Sequence, residues 1–329
     1  MPLRCYASCF QFGLRSKMHD EFLLSNGAEL LEELITYAEG KSKPIRIFST
    51  QELEKATNNY AKDFFMYQDS YYKIYKGTID GRAIIISKRK RLELFHSKRT
   101  YEVAILSQIN HANVMKLLGC CLETRIPLLV FEFFPHKRLY QRIHEVGTFH
   151  DISWENCLKI ATGMAYGITY LHIGTPTPII HRDIRSRKIL LDEDCNVKIV
   201  GFDLSVSMPK GESKIKCNVA GTDGYLDPEY ALKGELSEKS DVYSYGVVVF
   251  EILTGKTAKE LHYYDSIFLF VECMEEKRLG FVKANFLKEA KRDQLMAFVQ
   301  LVGRCLARSW EKRPTMKEVV QELRRIKGL

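Results

Sequence analysis

The chain has 329 residues, 46% of them hydrophobic and 27% charged, with a formal net charge of +8. Such a composition belongs to a globular protein with room for a large core, about two domains at roughly 150 residues each. The basic residues are scattered rather than gathered on one stretch, which argues against nucleic-acid binding, and the longest apolar run, 243–253, is interrupted by Glu251 and far short of the roughly 20 residues that span a bilayer.

The N-terminal stretch MPLRCYASCFQFGL lacks a secretory h-region, and Pro2 stands where N-myristoylation requires glycine. Cys5 and Cys9, beside Arg4, Arg15 and Lys17, are candidates for acyl anchoring; the plainer expectation is two ordinary thiols in a poorly ordered tail over 1–19. The nine cysteines show no C-x-x-C pair and read as reduced thiols of a cytosolic protein, not as a zinc site. Asn26-x-x-Glu29 has the form of a capping box, and Leu30, Leu31, Leu34, Ile35 and Ala38 follow at helical spacing up to Gly40. That stripe either docks on its own domain or offers a partner surface. After a basic linker with Pro44, Ser49-x-x-Glu52 caps a second short helix, TQELEKATNNY.

From Phe64 the pattern turns to strands. Further on, Cys157, Ile160, Ala161, Met164, Ala165, Ile168 and Leu171 recur behind a Ser153 cap and predict a buried amphipathic helix. The stretch that organises the rest is 181–203, HRDIRSRKILLDEDCNVKIVGFD. It has the layout of a phosphotransfer catalytic loop followed by a metal-binding loop. In that layout the Asp of H-R-D accepts a hydroxyl proton, an Asn five residues on holds one Mg²⁺, and the Asp of D-F-G holds the other. Here Asp183 is present, the Asn position is Lys188, and D-F-G reads Gly201, Phe202, Asp203.

Ile74-Tyr75-Lys76-Gly77, ILSQINHANVMKLLGCCLET (105–124), PLLVFEF (127–133), PIIHRDI (178–184), GTDGYLDPEY (221–230), EKSDVYSYGVVVFEILTG (238–255) and EKRPTMKEV (311–319) together resemble a plant receptor-like kinase of the wall-associated type, in register from about 48 to 325. The resemblance implies an α+β, bilobal protein-kinase fold. It would comprise an N-terminal extension (1–47) with one amphipathic helix, a five-stranded N-lobe with one main helix (48–134) and a mainly helical C-lobe (135–329).

Against that pattern, the three positions of the G-x-G-x-x-G loop fall at Tyr67, Asp69 and Tyr72, which would obstruct and repel phosphates. The phosphate-pairing Lys of the third strand falls on Ser87, with Lys88 next. Side chains alternate along a strand, so Lys88 should face away unless a bulge turns it inward. Ile85 replaces the small residue that lies against adenine. Glu102 takes the place of the helix carboxylate and, without its Lys, is expected to be solvated or locally paired. Arg185 takes the catalytic-loop Lys position, and Lys188 could fill the metal position and pair with Asp183. The structural parts persist: Glu229, expected to pair with a buried Arg313, and Asp241, expected to brace the catalytic loop.

This set of losses resembles the HopZ-ETI-deficient-related pseudokinases. The resemblance implies a catalytically inactive, cytoplasmic adaptor in plant immunity, peripheral at the plasma membrane if Cys5 or Cys9 is acylated. Its partners would be a nucleotide-binding leucine-rich-repeat receptor and effector-modified cytoplasmic kinases, with no cofactor. The alternative is an atypical serine/threonine kinase using ATP and Mg²⁺ through Lys88 and Asp203, the latter facing the same side of an extended loop as Gly201. The Lys- and Ser-rich segment 204–222 is either a mobile exposed loop or one ordered by a partner's anionic group, gripped by Lys210, Lys214 and Lys216.

Overall fold

The computed structural model describes residues 3–38, 44–69, 71–90, 99–145, 152–263 and 279–328. They fall into two units. The first takes residues up to 109 together with 116–134; the second takes 110–115 and everything from Pro135 onward.

In the first unit, alternating β-branched and aromatic residues build two successive hairpins from β2 (Phe65–Gln68), β3 (Tyr72–Ile79) and β4 (Arg82–Arg89). The β3–β4 turn is Asp80-Gly81, both at positive φ (50° and 73°), the two-residue geometry that matches the twist of the paired strands. β5 (Leu117–Cys121) and β6 (Leu128–Glu132) continue the sheet, and β1 (Arg46–Ile47) adds a sixth strand in parallel beside β5, giving the order β1-β5-β6-β4-β3-β2. The expected five strands become six because Gly119 lets the extra chain approach: a Cβ there would lie 1.9 Å from the Arg46 carbonyl oxygen. One face packs Phe48, Leu53, Tyr75, Ile84, Ile86, Cys121, Leu128 and Val130 into a core beneath α2 (Thr50–Ala56), whose Ser49/Glu52 capping box forms as expected.

A second departure is α1, one continuous helix over Leu3–Ala38 rather than a tail followed by a helix. Asn26 therefore sits inside the helix and is not a cap. Its Nδ2 donates to the carbonyls of Leu122 (2.8 Å) and Thr124 (2.9 Å), fastening α1 to the end of β5. The apolar stripe divides: Leu30 is buried while Leu31 and Ile35 are 59% and 66% exposed. The inner side of α1 lies on α3 (Arg99–Ser107), with Tyr37 and Tyr101 edge to face at 4.8 Å and Thr100 Oγ1 donating to Glu29 at 2.8 Å. Gly40 and the linker before Pro44 lie outside the described residues, as do the side chains of Cys5 and Cys9.

The second unit opens with β7 (Lys137–Arg138) and α4 (Leu139–His144) and is built around α5 (Trp154–Thr169) and α7 (Glu238–Thr254). The residues read as a stripe, from Cys157 to Leu171, are all fully buried behind the Ser153 cap. In α7, 240–253 are buried on every side, the mark of a core helix. Short strands β8 (Ile179–Ile180), β9 (Ile189–Leu191) and β10 (Val197–Ile199) bracket the H-R-D stretch and hold it at the edge of this helical core. No helix among the described residues is long and apolar enough to cross a membrane.

Candidate functional site

In the first unit β4 runs without a bulge: Ile74, Lys73 and Tyr72 stand opposite Ser87, Lys88 and Arg89 in unbroken register. Ser87 accordingly faces inward and is buried, while Lys88 is exposed with its ammonium 5.1 Å over the Tyr60 ring. Glu102 is not solvated. Its Oε2 accepts from Arg99 Nη1 at 2.6 Å and from Arg89 Nη2 at 3.4 Å, with all three side chains at most 4% exposed. Arg99 Nη2 in turn donates to Ser87 Oγ at 2.8 Å. Tyr72 lies beneath both guanidiniums, 5.1 Å from Arg99 and 5.9 Å from Arg89. The β2–β3 turn is closed by Asp69, whose Oδ1 accepts from the amides of Tyr71 (2.9 Å) and Tyr72 (2.7 Å). Tyr67 sits on β2 opposite Ile74.

In the second unit the Lys188 ammonium is surrounded by oxygens: Asp183 Oδ2 at 2.6 Å, the Gly201 carbonyl at 2.8 Å and Asp203 Oδ1 at 3.0 Å. Asp203 Oδ1 and the Gly201 carbonyl thus converge on one point, and that point holds an ammonium. Arg185 Nε reaches Asp183 Oδ2 at 3.2 Å, and Thr222 Oγ1 donates to Asp183 Oδ1 at 2.6 Å. Burial alone would raise the Asp183 carboxyl, but the charges of Lys188 and Arg185 outweigh it and hold it below its usual range. Burial would likewise lower the Lys188 ammonium, and Asp183 and Asp203 outweigh it, so it stays charged. Gly201, at φ +82°, makes this possible: a Cβ there would lie 2.7 Å from Lys188 Cε.

Asp241 braces the loop as expected, accepting from the amides of His181 and Arg182 at 2.8 Å each and facing His172 Nε2 at 3.0 Å. The expected Glu229–Arg313 pair is not found. Arg313 Nη2 meets Asp227 Oδ1 at 2.7 Å in a fully buried pair. Asp227 is the N-cap of α6 (Pro228–Lys233) and points inward, where it also accepts from Ser240 Oγ at 2.9 Å. Glu229, two residues on, lies nearer the surface and pairs with Lys233 at 2.7 Å while accepting the Trp310 amide at 2.8 Å.

The segment 204–222 starts buried and is mostly exposed over 209–219, with short strands at Val206–Ser207 and Ile215–Lys216. Ser205 and Ser207 are buried, Lys214 Nζ stands 3.1 Å over Trp310, and Lys216 lies opposite Glu235 in a short antiparallel pair. Arg182 Nε donates to Tyr230 OH at 2.9 Å, and its Nη2 donates to the Asn218 carbonyl. Lys214 and Lys216 thus point to separate contacts, Trp310 and the strand of Glu235.

A family model for protein tyrosine and serine/threonine kinases matches residues 71–323, more than three-quarters of the chain. The chain belongs to this kinase family. Among curated relatives, wall-associated receptor kinase-like 1 of Arabidopsis thaliana is 39% identical over 315 residues, 94% of this chain and 43% of that protein. Wall-associated receptor kinase-like 5 is 40% identical over 294 residues (86% and 40%), and wall-associated receptor kinase 1 is 36% identical over 315 residues (94% and 43%), both of the same plant. The chain spans about two-fifths of the length of these relatives.

In kinase terms the first unit is the sheet-rich N-lobe and the second the helical C-lobe. The family's Mg²⁺ requires oxygen ligands at about 2.0–2.1 Å in octahedral array. An ammonium already takes the two carboxylates and the carbonyl that converge at Lys188, so these residues do not fit a divalent ion. Arg99 and Thr222 were missed in the sequence. Arg99 carried one signal, its position three residues before Glu102 on a helix.

Proposed function

We propose that this kinase-family chain transfers no phosphoryl group and acts as a protein-binding scaffold. The observation that supports this most is Lys188 lodged among Asp183, Asp203 and the Gly201 carbonyl. Phosphoryl transfer depends on positioning and on neutralising charge with metal. Here the proton-accepting carboxylate is tied to a resident cation, and the glycine-loop positions carry Tyr67, Asp69 and Tyr72. The likeness of these losses to the HopZ-ETI-deficient-related pseudokinases supports the finer role. In that role the chain is a cytoplasmic immune adaptor, without nucleotide cofactor, joining a nucleotide-binding leucine-rich-repeat receptor to effector-modified kinases.

The relatives' names support a second reading, an ATP-dependent serine/threonine kinase in which Asp203 replaces the missing metal-loop acid. Incubation with labelled ATP and Mg²⁺ or Mn²⁺ separates the two. The scaffold predicts no incorporation into the chain or a generic protein substrate. Incorporation that Asp183→Asn abolishes would establish the kinase.

A further inference from the structure

We propose that Arg99 is a built-in replacement for the phosphate-pairing lysine, which fixes α3 to β4 without nucleotide and, through α3, holds α1 in place. In kinases the strand lysine joins the helix glutamate to the phosphates, so the helix position answers to the bound nucleotide. Here the strand position is Ser87 and the helix position is Glu102, and one guanidinium bridges them, 2.8 Å from Ser87 Oγ and 2.6 Å from Glu102 Oε2. A third contact, from Arg99 Nη2 to the Ser87 carbonyl at 3.4 Å, ties the same group to the strand backbone.

The choice of side chain follows from shape. An ammonium on β4 reaches the helix as a point charge. A cation that starts on the helix must bond its own neighbour at i+3 and a strand hydroxyl at once, and the planar fork of arginine offers two nitrogens for that. The fork is 2% exposed and stacked beside Tyr72, so its geometry is held by packing on all sides.

What the node holds is legible in the next contacts outward. Thr100, adjacent to Arg99, donates to Glu29 of α1, and Tyr101 packs edge to face on Tyr37. Elsewhere α1 is fastened by Asn26 on the β5 end and by His19, whose Nδ1 meets Thr50 Oγ1 at 3.3 Å. A shift of α3 away from β4 would carry Thr100 and Tyr101 with it and cost α1 both of their contacts. The node therefore works as a positioning device for α1, and it stands independently of whether Lys188 abolishes chemistry.

Hydrogen–deuterium exchange on the full chain tests this. In the wild type, exchange over 99–107 and 17–37 is expected to be the same with and without 1 mM ATP, in Mg²⁺ or in EDTA. Arg99→Ala should speed exchange in both segments by about tenfold or more. The decisive variant is Ser87→Lys with Arg99→Ala, which restores an ammonium at the strand position facing Glu102. It should return exchange in both segments to within about threefold of wild type, which a general loss of packing would not do. Nucleotide-dependent protection of 99–107 in the wild type, unchanged exchange in Arg99→Ala, or no recovery in the double variant would each overturn the proposal. If Arg99→Ala fails to fold, the double variant alone decides by folding or not. Phosphotransfer by the wild type would overturn the scaffold function and leave these outcomes untouched.

Discussion

Two nodes of this chain depart from the kinase pattern in a shared way, and a different cation fills each. At Ser87 and Glu102 the missing lysine is replaced by the guanidinium of Arg99, which bridges a hydroxyl and a carboxylate on opposite sides. Around Asp183 the position of the expected Asn carries Lys188, whose ammonium takes oxygens converging from Asp183, Asp203 and the Gly201 carbonyl. A fork suits two separated acceptors; a compact point charge suits several acceptors aimed at one point. The difference teaches that at each node the spacing of the acceptors matches the shape of the cation that fills it.

The comparison implies that Lys188 matters more to folding than any single group of the other node, because removing it leaves two carboxylates facing each other. Lys188→Met should destabilise the protein by about 3–5 kcal/mol, the cost of breaking a buried pair from one side. Urea denaturation of both proteins at pH 7 measures it. A loss below about 1 kcal/mol would mean that water reaches the carboxylates and that Lys188 is no resident cation.

Next in size is a pH effect confined to the second node. Burial, and then the Lys188 charge, push the His181 imidazole down to about 4. Unfolded histidine titrates near 6.5, so between these values the unfolded chain binds the extra proton. Stability from this group is complete above about pH 6.5 and is lost as pH falls toward 4, about 3 kcal/mol over the full window. Asp183, held below its usual range, stays ionised through most of that window and adds its own loss only at more acid pH. Denaturation midpoints at pH 7, 6, 5 and 4.5 should fall more steeply in the wild type than in His181→Gln. Parallel curves would show that His181 titrates alike in the folded and the unfolded chain.

The two nodes also differ in how far the amino-acid sequence discloses them. Ser87 facing inward with Lys88 outward follows from period-two alternation, and the continuous register agrees. The Lys188–Asp183 pair follows from the kinase layout, which sets residue 188 at a metal-ligand position beside Asp183. Arg99 was out of reach. Its bond to Ser87 depends on how helix α3 packs on the sheet, which no local period states. The buried acid opposite Arg313 was assigned to Glu229 instead of Asp227, because two carboxylates two residues apart differ only in which one an N-cap turns inward. Asn26 shows the same limit: its spacing to Glu29 satisfies a cap rule, yet the chain before it is helical and its side chain is spent on β5. The six strands in place of five turn on one glycine, Gly119, whose meaning needs the neighbouring strand to be known.

Gly201 is where the second node depends on a missing side chain. Gly201→Ala should cost about 1–2 kcal/mol for the left-handed backbone alone. The new Cβ must also displace Lys188 Cε, 2.7 Å away, from an ammonium held on every side. Residues in contact couple, so Gly201→Ala should cost measurably less in a Lys188→Ala background. The four proteins of that cycle, compared by urea denaturation, report the coupling directly. Additive costs within about 0.3–0.5 kcal/mol would show that Gly201 answers only to its backbone angle and not to the cation.

The smallest expected effect sharpens the first node by what it leaves alone. Lys88 follows Ser87 by one residue and would inherit the family's lysine role if β4 slipped or bulged. Its ammonium instead lies 5.1 Å over Tyr60 on the opposite face of the sheet from Ser87, in an exposed setting. An exposed cation–π contact is worth about 0.5–1 kcal/mol, so Lys88→Ala should lower stability by about that much. Exchange over 99–107 should stay at the wild-type rate, because Glu102 is already matched by Arg99 and Arg89. The observation that would break the comparison is faster exchange in α3 on losing Lys88. That outcome would place the lysine on the inner face in solution and return the helix to the family's own mode of attachment.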